Sequence, residues 1–158
     1  MQKITTFLWF KDQAEEAAKL YTSVFPDSKV TAITRYGDAG PGPAGSVMTV
    51  SFLLAGQEFV ALNGGPHFPF TPAISLVVNV DSQDELDRYW SKLSEGGEPS
   101  AQQCGWLADR YGLSWQVVPT ILTKMLQDKD PGKVNRVTQA LMPMKKLDIA
   151  ALKRAYES

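Results

Sequence analysis

The stretch GWLADRYGLSWQVVP, residues 105–119, predicts a β-hairpin. Two short strands flank a turn at residues 109–112, where Gly112 is free to adopt the positive φ that such a connection needs. Apolar, mostly β-favouring side chains fill both strands, and Gln116 is a polar group set among them. A buried amide requires a hydrogen-bond partner, so Gln116 is expected to have one.

The hairpin closes a longer unit. Before it, residues 73–80 are apolar and predict a strand, and Ser82 with Glu85 has the spacing of a capping box at a helix start. The helix that follows has one buried stripe and stops at Gly96–Gly97; the stripe is Leu86, Tyr89, Trp90 and Leu93. With a short strand near residues 98–103, the unit is β-α-β-β-β.

The same pattern occurs about 70 residues earlier in the chain. A strand at residues 4–10 precedes a helix that Asp12 is expected to cap, with Glu15 completing a capping box, and that runs to about Phe25. Three strands follow, at residues 29–36, 47–55 and 57–63. Two copies predict an α+β fold in which tandem βαβββ modules form a curved sheet cup, with the cleft between them as the ligand site.

The modules are expected to span residues 1–64 and 73–119, with a linker at 65–72 and a C-terminal helical extension at 120–158. The extension predicts three helices, at 120–127, 131–142 and 149–156, the last two capped by Asp130 and Asp148. Their apolar stripes must be buried; they are Val134, Val137, Leu141, Ile149, Leu152 and Tyr156. Either they cover this subunit's sheet or they pack on a second chain.

Composition and charge exclude several classes of partner. Sixteen basic and 17 acidic residues give a net charge of −1 without a run of like charge, so neither nucleic acid nor an anionic membrane is expected as a partner. One cysteine, Cys104, fits a reducing compartment. No apolar run has the ~18 residues of a membrane span, and the start is unlike a signal peptide. These features favour a cytoplasmic protein.

The duplicated unit, with the motifs LNGGP (62–66), GWLADRYG (105–112) and SWQ (114–116), resembles the PhnB-like family of the vicinal oxygen chelate superfamily, also called 3-demethylubiquinone-9 3-methyltransferase-like. The resemblance extends to residues 138–149 and implies a single glyoxalase-like domain over residues 1–158. Relatives include glyoxalase I, fosfomycin and bleomycin resistance proteins and extradiol dioxygenases, so the fold implies no single activity. Members commonly pair their modules across a dimer, which implies a homodimer.

In the metal-using relatives, the first and last strands of each module supply the ligands. The resemblance places those ligands at Thr5, Ala61, Ser75 and Gln116, none of which is His, Glu or Asp. One neutral amide does not hold a divalent ion alone. We therefore expect no bound metal and no cofactor.

Aromatic and polar side chains near the expected cleft are the candidates for ligand binding. They are Phe7, Trp9, Asn63, His67, Phe70, Ser75, Trp106, Trp115 and Gln116. Asn63 and Gln116 are the polar groups expected to orient a ligand. His67 is also a weak catalytic candidate because imidazole suits proton transfer, and Cys104 is another if His67 activates it. For both residues the structural reading is favoured: His67 as a surface or packing histidine and Cys104 as a packed thiol.

Three functional hypotheses follow. The first is a metal-free protein that binds a small hydrophobic or aromatic molecule. The second is an enzyme of the glyoxalase or dioxygenase type, a lyase or isomerase. The third is the family's methyltransferase label, although residues 11–13 lack the glycine-rich turn at which adenosylmethionine usually binds. The glycine- and proline-rich segment 37–45 connects two strands and is expected to be a flexible loop over the cleft.

Overall fold

The computed structural model describes residues 2–158. The chain divides into two compact units, Met1–Phe70 and Thr71–Ser158. The boundary falls inside the segment that the sequence marks as a linker, and the C-terminal helices belong to the second unit. Within residues 2–158, no helix is long and apolar enough to cross a membrane.

The first unit is a four-stranded sheet with one helix. Its elements are β1 (Thr6–Phe10), α1 (Ala14–Val24), β2 (Lys29–Arg35), β3 (Val47–Leu54) and β4 (Gln57–Asn63). The strand order is β1-β4-β3-β2, with β1 parallel to β4 and the other pairs antiparallel. Ala55 and Gly56 both have positive φ, 48° and 79°, as a tight β3–β4 turn requires.

Helix α1 covers one face of this sheet. Successive side chains of a strand point to opposite faces, so alternate residues are directed at the helix. Leu8 and Phe10 of β1, Val50 of β3 and Ala61 of β4 point to the helix and are at most 6% exposed. The helix meets them with a stripe of small and aromatic residues; the stripe is Ala14, Ala17, Ala18, Tyr21 and Val24. The opposite sheet face has no helix of this unit over it.

The start of α1 differs from the sequence prediction. Asp12 does not cap the helix: Gln13 occupies the N-cap position and its side chain makes no capping hydrogen bond. The amide of Asn63, at the end of β4, does this instead, since its Oδ1 accepts from the backbone N–H of Ala14 at 2.8 Å. A residue 49 positions away thus satisfies an orphan helix amide that sequence rules assign to a neighbour.

The second unit is a three-stranded sheet with helices. It comprises β5 (Ser75–Val80), α2 (Gln83–Ser94), a 3₁₀ turn (Pro99–Ala101), β6 (Trp106–Ala108) and β7 (Ser114–Pro119), followed by α3 (Thr120–Leu126), α4 (Pro131–Leu141) and α5 (Ile149–Glu157). The strand order is β5-β7-β6. Ser82 caps α2 by accepting from Glu85 N–H, as predicted. The α+β fold class, with open sheets of four and three strands, is confirmed.

The strand predicted near residues 98–103 is wrong. Pro99 begins a 3₁₀ turn there, and the Glu98 side chain accepts from Ser100 N–H at 3.2 Å, which stabilises the turn over an extended chain. Only Gln103 keeps a strand-like bridge, to Trp106. The second unit is therefore β-α-β-β where the first is β-α-β-β-β.

The predicted hairpin at residues 105–119 is confirmed, and Gly112 has φ of 88°. Its turn is organised by Asp109, which is 2% exposed. This carboxylate accepts from the backbone amides of Tyr111 and Leu113 and from the indole Nε1 of Trp115, at 2.8–3.1 Å. A buried carboxylate with three donors holds both strands of the hairpin and an indole of the core together.

The C-terminal extension packs on its own unit. Leu147 is fully buried, and its backbone C=O accepts from the Gln83 amide of α2. The preceding residues Met144 and Lys145 accept from Cys104 N–H and Gly105 N–H at 2.7 and 2.8 Å. Val137 and Leu152 of the α4 and α5 stripes are fully buried within this unit, whereas the other stripe residues are half-buried: Val134, Leu141, Ile149 and Tyr156.

A short polar contact joins the end of the chain to the α3–α4 connection. Tyr156 donates its hydroxyl to the carboxylate of Asp128. This hydrogen bond lowers the pKa of Asp128 and raises the pKa of Tyr156. Both groups are on the surface, so the contact positions α5 more than it stabilises the fold.

Candidate functional site

The open face of the first sheet, defined here as the face turned away from α1, carries two of the predicted ligand-binding residues. Phe7 is 57% exposed and Trp9 is half-buried; they are two apart on β1 and share this face. The strand register places Val60 and Leu62 of β4 beside them. An aromatic and aliphatic surface on an edge strand and its neighbour is thus accessible within this unit.

Polarity changes across the open face. On the far side of β4, the register brings Thr49 and Ser51 of β3 next to Leu62 and Val60. Thr49 and Thr34 of β2 share a hydroxyl hydrogen bond of 2.5 Å. The open face therefore runs from aromatic through aliphatic to hydroxyl-bearing side chains. Glu58 of β4, two residues before Val60, adds one carboxylate to this face, where it accepts from the backbone N–H of Gln2 at 3.2 Å.

Trp9 is held in a fixed orientation. Its indole Nε1 donates to the backbone C=O of Gly65 at 2.9 Å, and its ring packs edge-on against Phe68 with 5.0 Å between centroids. Gly64 lies directly on the indole, where an added Cβ atom would clash. The glycine pair at 64–65 in the LNGGP motif thus serves close approach to this aromatic ring.

Asn63 and His67 lie elsewhere, in a cavity of about 560 Å³ at the end of the first unit. We call it the Asn63 cavity; it is bounded by the start of α1, the segment 41–47 and residues 63–67. The Asn63 amide is fixed in place, because Oδ1 accepts from Ala14 N–H and Nδ2 donates to Val47 C=O. Asn63 thereby shapes this cavity, and the role of its amide in orienting a ligand stays a prediction.

The glycine-rich segment 37–45 forms one wall of this cavity. It folds back on Tyr36, with Gly40 and Gly42 against the aromatic ring at distances that leave no room for a Cβ atom. The Tyr36 hydroxyl donates to Asn63 C=O at 2.6 Å, and Gly45 N–H donates to Tyr36 C=O at 2.8 Å. The segment is therefore fixed by packing on the Tyr36 ring and by hydrogen bonds, in addition to its covalent connection to the two strands.

Phe70, another predicted ligand-binding residue, packs edge-on against Phe10 with ring centroids 5.1 Å apart. Phe10 belongs to the buried face beneath α1. Phe70 is therefore a half-buried extension of that core, and it does not share the open face with Phe7 and Trp9.

In the second unit, Ser75, Trp106 and Gln116 share one face of the sheet. The register pairs Trp106 with Gln116, and the Gln116 amide donates to the Ser75 hydroxyl at 2.9 Å. The expected partner of Gln116 is thus Ser75. Val77, which pairs with Gln116 on β5, is 48% exposed on the same face.

Trp115 is a correction to the predicted site. It points to the opposite side of β7 from Gln116, is 2% exposed and donates its indole N–H to Asp109. Adjacent residues of a strand face opposite ways, so a ligand that contacts Gln116 does not contact Trp115. Trp115 is a core residue.

The positions implied for a metal do not form a metal site. Ala61 is fully buried under α1, so it faces away from the open face, and Ser75 and Gln116 present only a hydroxyl and an amide. Among residues 2–158, no group of three His, Cys, Asp or Glu side chains is placed to hold an ion. These residues do not fit the divalent ion that the superfamily's metal-using members bind.

Cys104, the second catalytic candidate, lies in the second unit at a positive φ of 53°. Its thiol donates to Met142 C=O at 3.3 Å, and the Gln103 amide approaches the sulfur at 3.5 Å. The thiol is half-buried and is engaged by the C-terminal extension. Residues 71–158 contain no histidine, so the second unit has no imidazole to activate this thiol.

Sequence reasoning missed two residues. Asp109 was placed in the turn without a role, although an Asp that begins a tight turn typically accepts from amides two residues on. Tyr36 was taken only as the end of a strand, yet it is 8% exposed and carries the wall of the Asn63 cavity. The signal for Tyr36 in the sequence is its position, since an aromatic residue directly before a glycine-rich segment can pack against the glycines.

Comparison with known proteins agrees with this architecture. The model of the family described as 3-demethylubiquinone-9 3-methyltransferase matches residues 2–118. A solved structure described as a putative 3-demethylubiquinone-9 3-methyltransferase, PhnB protein, from Bacillus cereus is 42% identical, covers 75% of this chain and 100% of its own, and superposes with a TM-score of 0.66. Protein PA1353 from Pseudomonas aeruginosa is 25% identical over 75% of this chain and 98% of its own, with a TM-score of 0.59.

The fosfomycin resistance protein FosX from Listeria monocytogenes shares the fold alone, at 16% identity over 80% of this chain and 98% of its own, with a TM-score of 0.56. A search of the curated proteins found no match. The family match ends at residue 118, so the resemblance drawn for residues 138–149 lies outside it. The chain belongs to the PhnB-like 3-demethylubiquinone-9 3-methyltransferase family.

Proposed function

We propose that the protein binds a small, uncharged aromatic molecule on the open face of its first sheet, without a metal ion. The observation that carries this is the contrast between the two faces of one sheet. The α1-facing side is a closed core, whereas the other side keeps Phe7 57% exposed and Trp9 oriented by a hydrogen bond and by Phe68. Fixed, exposed aromatic rings are costly to leave in water unless they serve recognition.

The chemistry of the face defines the ligand class. Flat aromatic groups stack on Phe7 and Trp9, and the neighbouring Val60 and Leu62 extend the apolar contact. The hydroxyls of Thr49 and Ser51 supply donors and acceptors at the far side of β4. An aromatic compound with one hydroxyl or carbonyl group, such as a phenol or naphthol, matches this gradient best.

Phe7→Ala is expected to weaken binding of 2-naphthol by roughly 5- to 30-fold, the equivalent of about 1–2 kcal/mol of lost apolar contact. Quenching of tryptophan fluorescence in a Trp106→Phe background measures the affinity, because Trp9 is on the open face whereas Trp115 and Trp90 are at most 9% exposed. Ile33→Ala is the matched control: Ile33 is also exposed, at 39%, but pairs with Val50 and lies on the other face of the sheet.

Equal affinities for the Phe7→Ala and Ile33→Ala proteins would contradict the proposal, as would the absence of any quenching by aromatic compounds in the wild type.

The same titration is repeated with metal ions added. Zinc, nickel and manganese should change neither the affinity nor the melting temperature, whereas an ion bound only by the native state at a hundred times its dissociation constant would add about 2.7 kcal/mol.

The enzymatic alternatives lack a supporting observation. The Bacillus cereus relative is described as a putative methyltransferase, but the β1–α1 connection here is Lys11-Asp12-Gln13, which has no glycine to bring its backbone close to a cofactor. His67 is exposed on the rim of the Asn63 cavity, and no side chain within residues 2–158 hydrogen-bonds to it to orient it as a base. A lyase, isomerase or methyl-transfer activity is not proposed.

We also propose a homodimer in the cytoplasm, on the resemblance and on the single, half-buried cysteine. Of the C-terminal stripes, Val137 and Leu152 are buried by the second unit itself, and the half-buried remainder stays available to a second chain. Support comes instead from the exposed edge strand β2, whose residues are almost all accessible and present unpaired backbone groups on one side.

A further inference from the structure

We infer that the Asn63 cavity is a second binding site, for a small organic cation: a protonated amine on a compact apolar body. It is distinct from the open face, since none of Phe7, Trp9, Val60 and Leu62 lines it. Its volume of about 560 Å³ is in the range of ligand pockets, which is ~300–1,000 Å³.

The cavity is preformed by a closed set of hydrogen bonds. Asn63 ties β4 to the start of α1 and to β3, and the Tyr36 hydroxyl ties the segment 37–45 to the backbone of Asn63. Gly64 N–H and Gly65 N–H donate to the C=O groups of Phe10 and Lys11 at 2.9 and 3.1 Å. The framework groups are therefore mutually satisfied, and recognition must come from the side chains around the opening.

Those side chains favour a positive ligand. The lining contains two carboxylates, Asp12 and Glu15, against one ammonium, Lys11, so two negative charges and one positive leave a net charge of −1 with His67 neutral. Glu15 also pairs with Lys19 at 3.4 Å, but this lysine is 68% exposed and such a pair contributes little free energy, so a bound amine can replace it. A protonated amine close to either carboxylate gains a charge-assisted hydrogen bond.

An anion is disfavoured at the same place. The start of a helix attracts anions through its unpaired amides, but Asn63 occupies one of them, Ala14 N–H, and Asp12 and Glu15 place two carboxylates at the same helix start. Both carboxylates of the lining would repel an anion. The remaining wall is apolar and rigid, with Pro41, Pro43 and Pro66 facing the space, which suits a compact hydrocarbon body on the amine.

The test is calorimetric titration of the full chain with three compounds of one shape: cyclohexylmethylamine, cyclohexylmethanol and cyclohexanecarboxylate. The amine should bind at least tenfold more tightly than the other two. Asp12→Asn and Glu15→Gln, combined in one protein, should weaken amine binding at least tenfold. Neither side chain belongs to the hydrogen-bonded framework, so the melting temperature without ligand should stay close to that of the wild type.

Glu16→Gln is the matched control, because Glu16 lies in the same first turn of α1 and does not line the cavity. It should bind the amine as the wild type does, and so should Phe7→Ala, which separates this site from the open face. The inference is overturned if the carboxylate binds as well as the amine, if Glu16→Gln weakens binding as much as the double variant does, or if the wild type binds no amine at millimolar concentration.

Discussion

Asp109→Ala is expected to destabilise the protein by about 3–5 kcal/mol, because one buried carboxylate serves three donors. Removing it leaves the amides of Tyr111 and Leu113 and the indole N–H of Trp115 to find other acceptors in a region that excludes water. The hairpin turn and the core packing of Trp115 should be lost together. Urea unfolding, followed by tryptophan emission and by circular dichroism, measures the loss.

Two further variants make this test specific. Asp109→Asn keeps the shape of the side chain and one acceptor oxygen, so it should lie between the wild type and Asp109→Ala. Asp38→Ala removes an exposed carboxylate from the segment 37–45 and should change stability by less than about 0.5 kcal/mol. A loss below about 1 kcal/mol for Asp109→Ala would show that the turn holds without its carboxylate.

Leu147→Ala should cost about 2–5 kcal/mol, the range for truncating a buried leucine. Leu147 is fully buried and contacts Gly105 at the entry of the hairpin, and the residues before it accept hydrogen bonds from Cys104 and Gly105. The side chain therefore anchors the C-terminal extension to the hairpin. Thermal unfolding should show the loss as a lower melting temperature.

Met142→Ala is the control for this anchor, since Met142 lies in the same connection but is 56% exposed; its removal should cost less than about 1 kcal/mol. A chain that ends after Pro119 should behave worse than Leu147→Ala, because it also loses the backbone acceptors of Met144 and Lys145. A truncated chain that unfolds at the wild-type temperature would mean that the second unit is complete without its extension.

The site was harder to predict from the sequence than the fold. Phe7 and Trp9 share one face because side chains along a strand alternate with a local period of two, whereas the partner of Gln116, Ser75, is set only by the register of β5 and β7. The two-residue alternation of side chains along a strand does not indicate which face of the sheet a helix will cover. Trp115 therefore entered the predicted site although it faces the core, and Ala61 was aligned with a ligand position although it lies under α1.

Short-range chemistry was enough to determine the duplicated strand–helix pattern, the hairpin turns at Gly56 and Gly112, and the caps at Ser82, Asp130 and Asp148. Each depends on residues within a few positions of one another. Only the tertiary structure decided that Asn63 caps α1, that Tyr36 and Asn63 enclose a cavity, and that Leu147 holds the extension. These contacts join residues 27 to 64 positions apart, and their partners are selected by packing and by the need to satisfy buried polar groups, which no local pattern encodes.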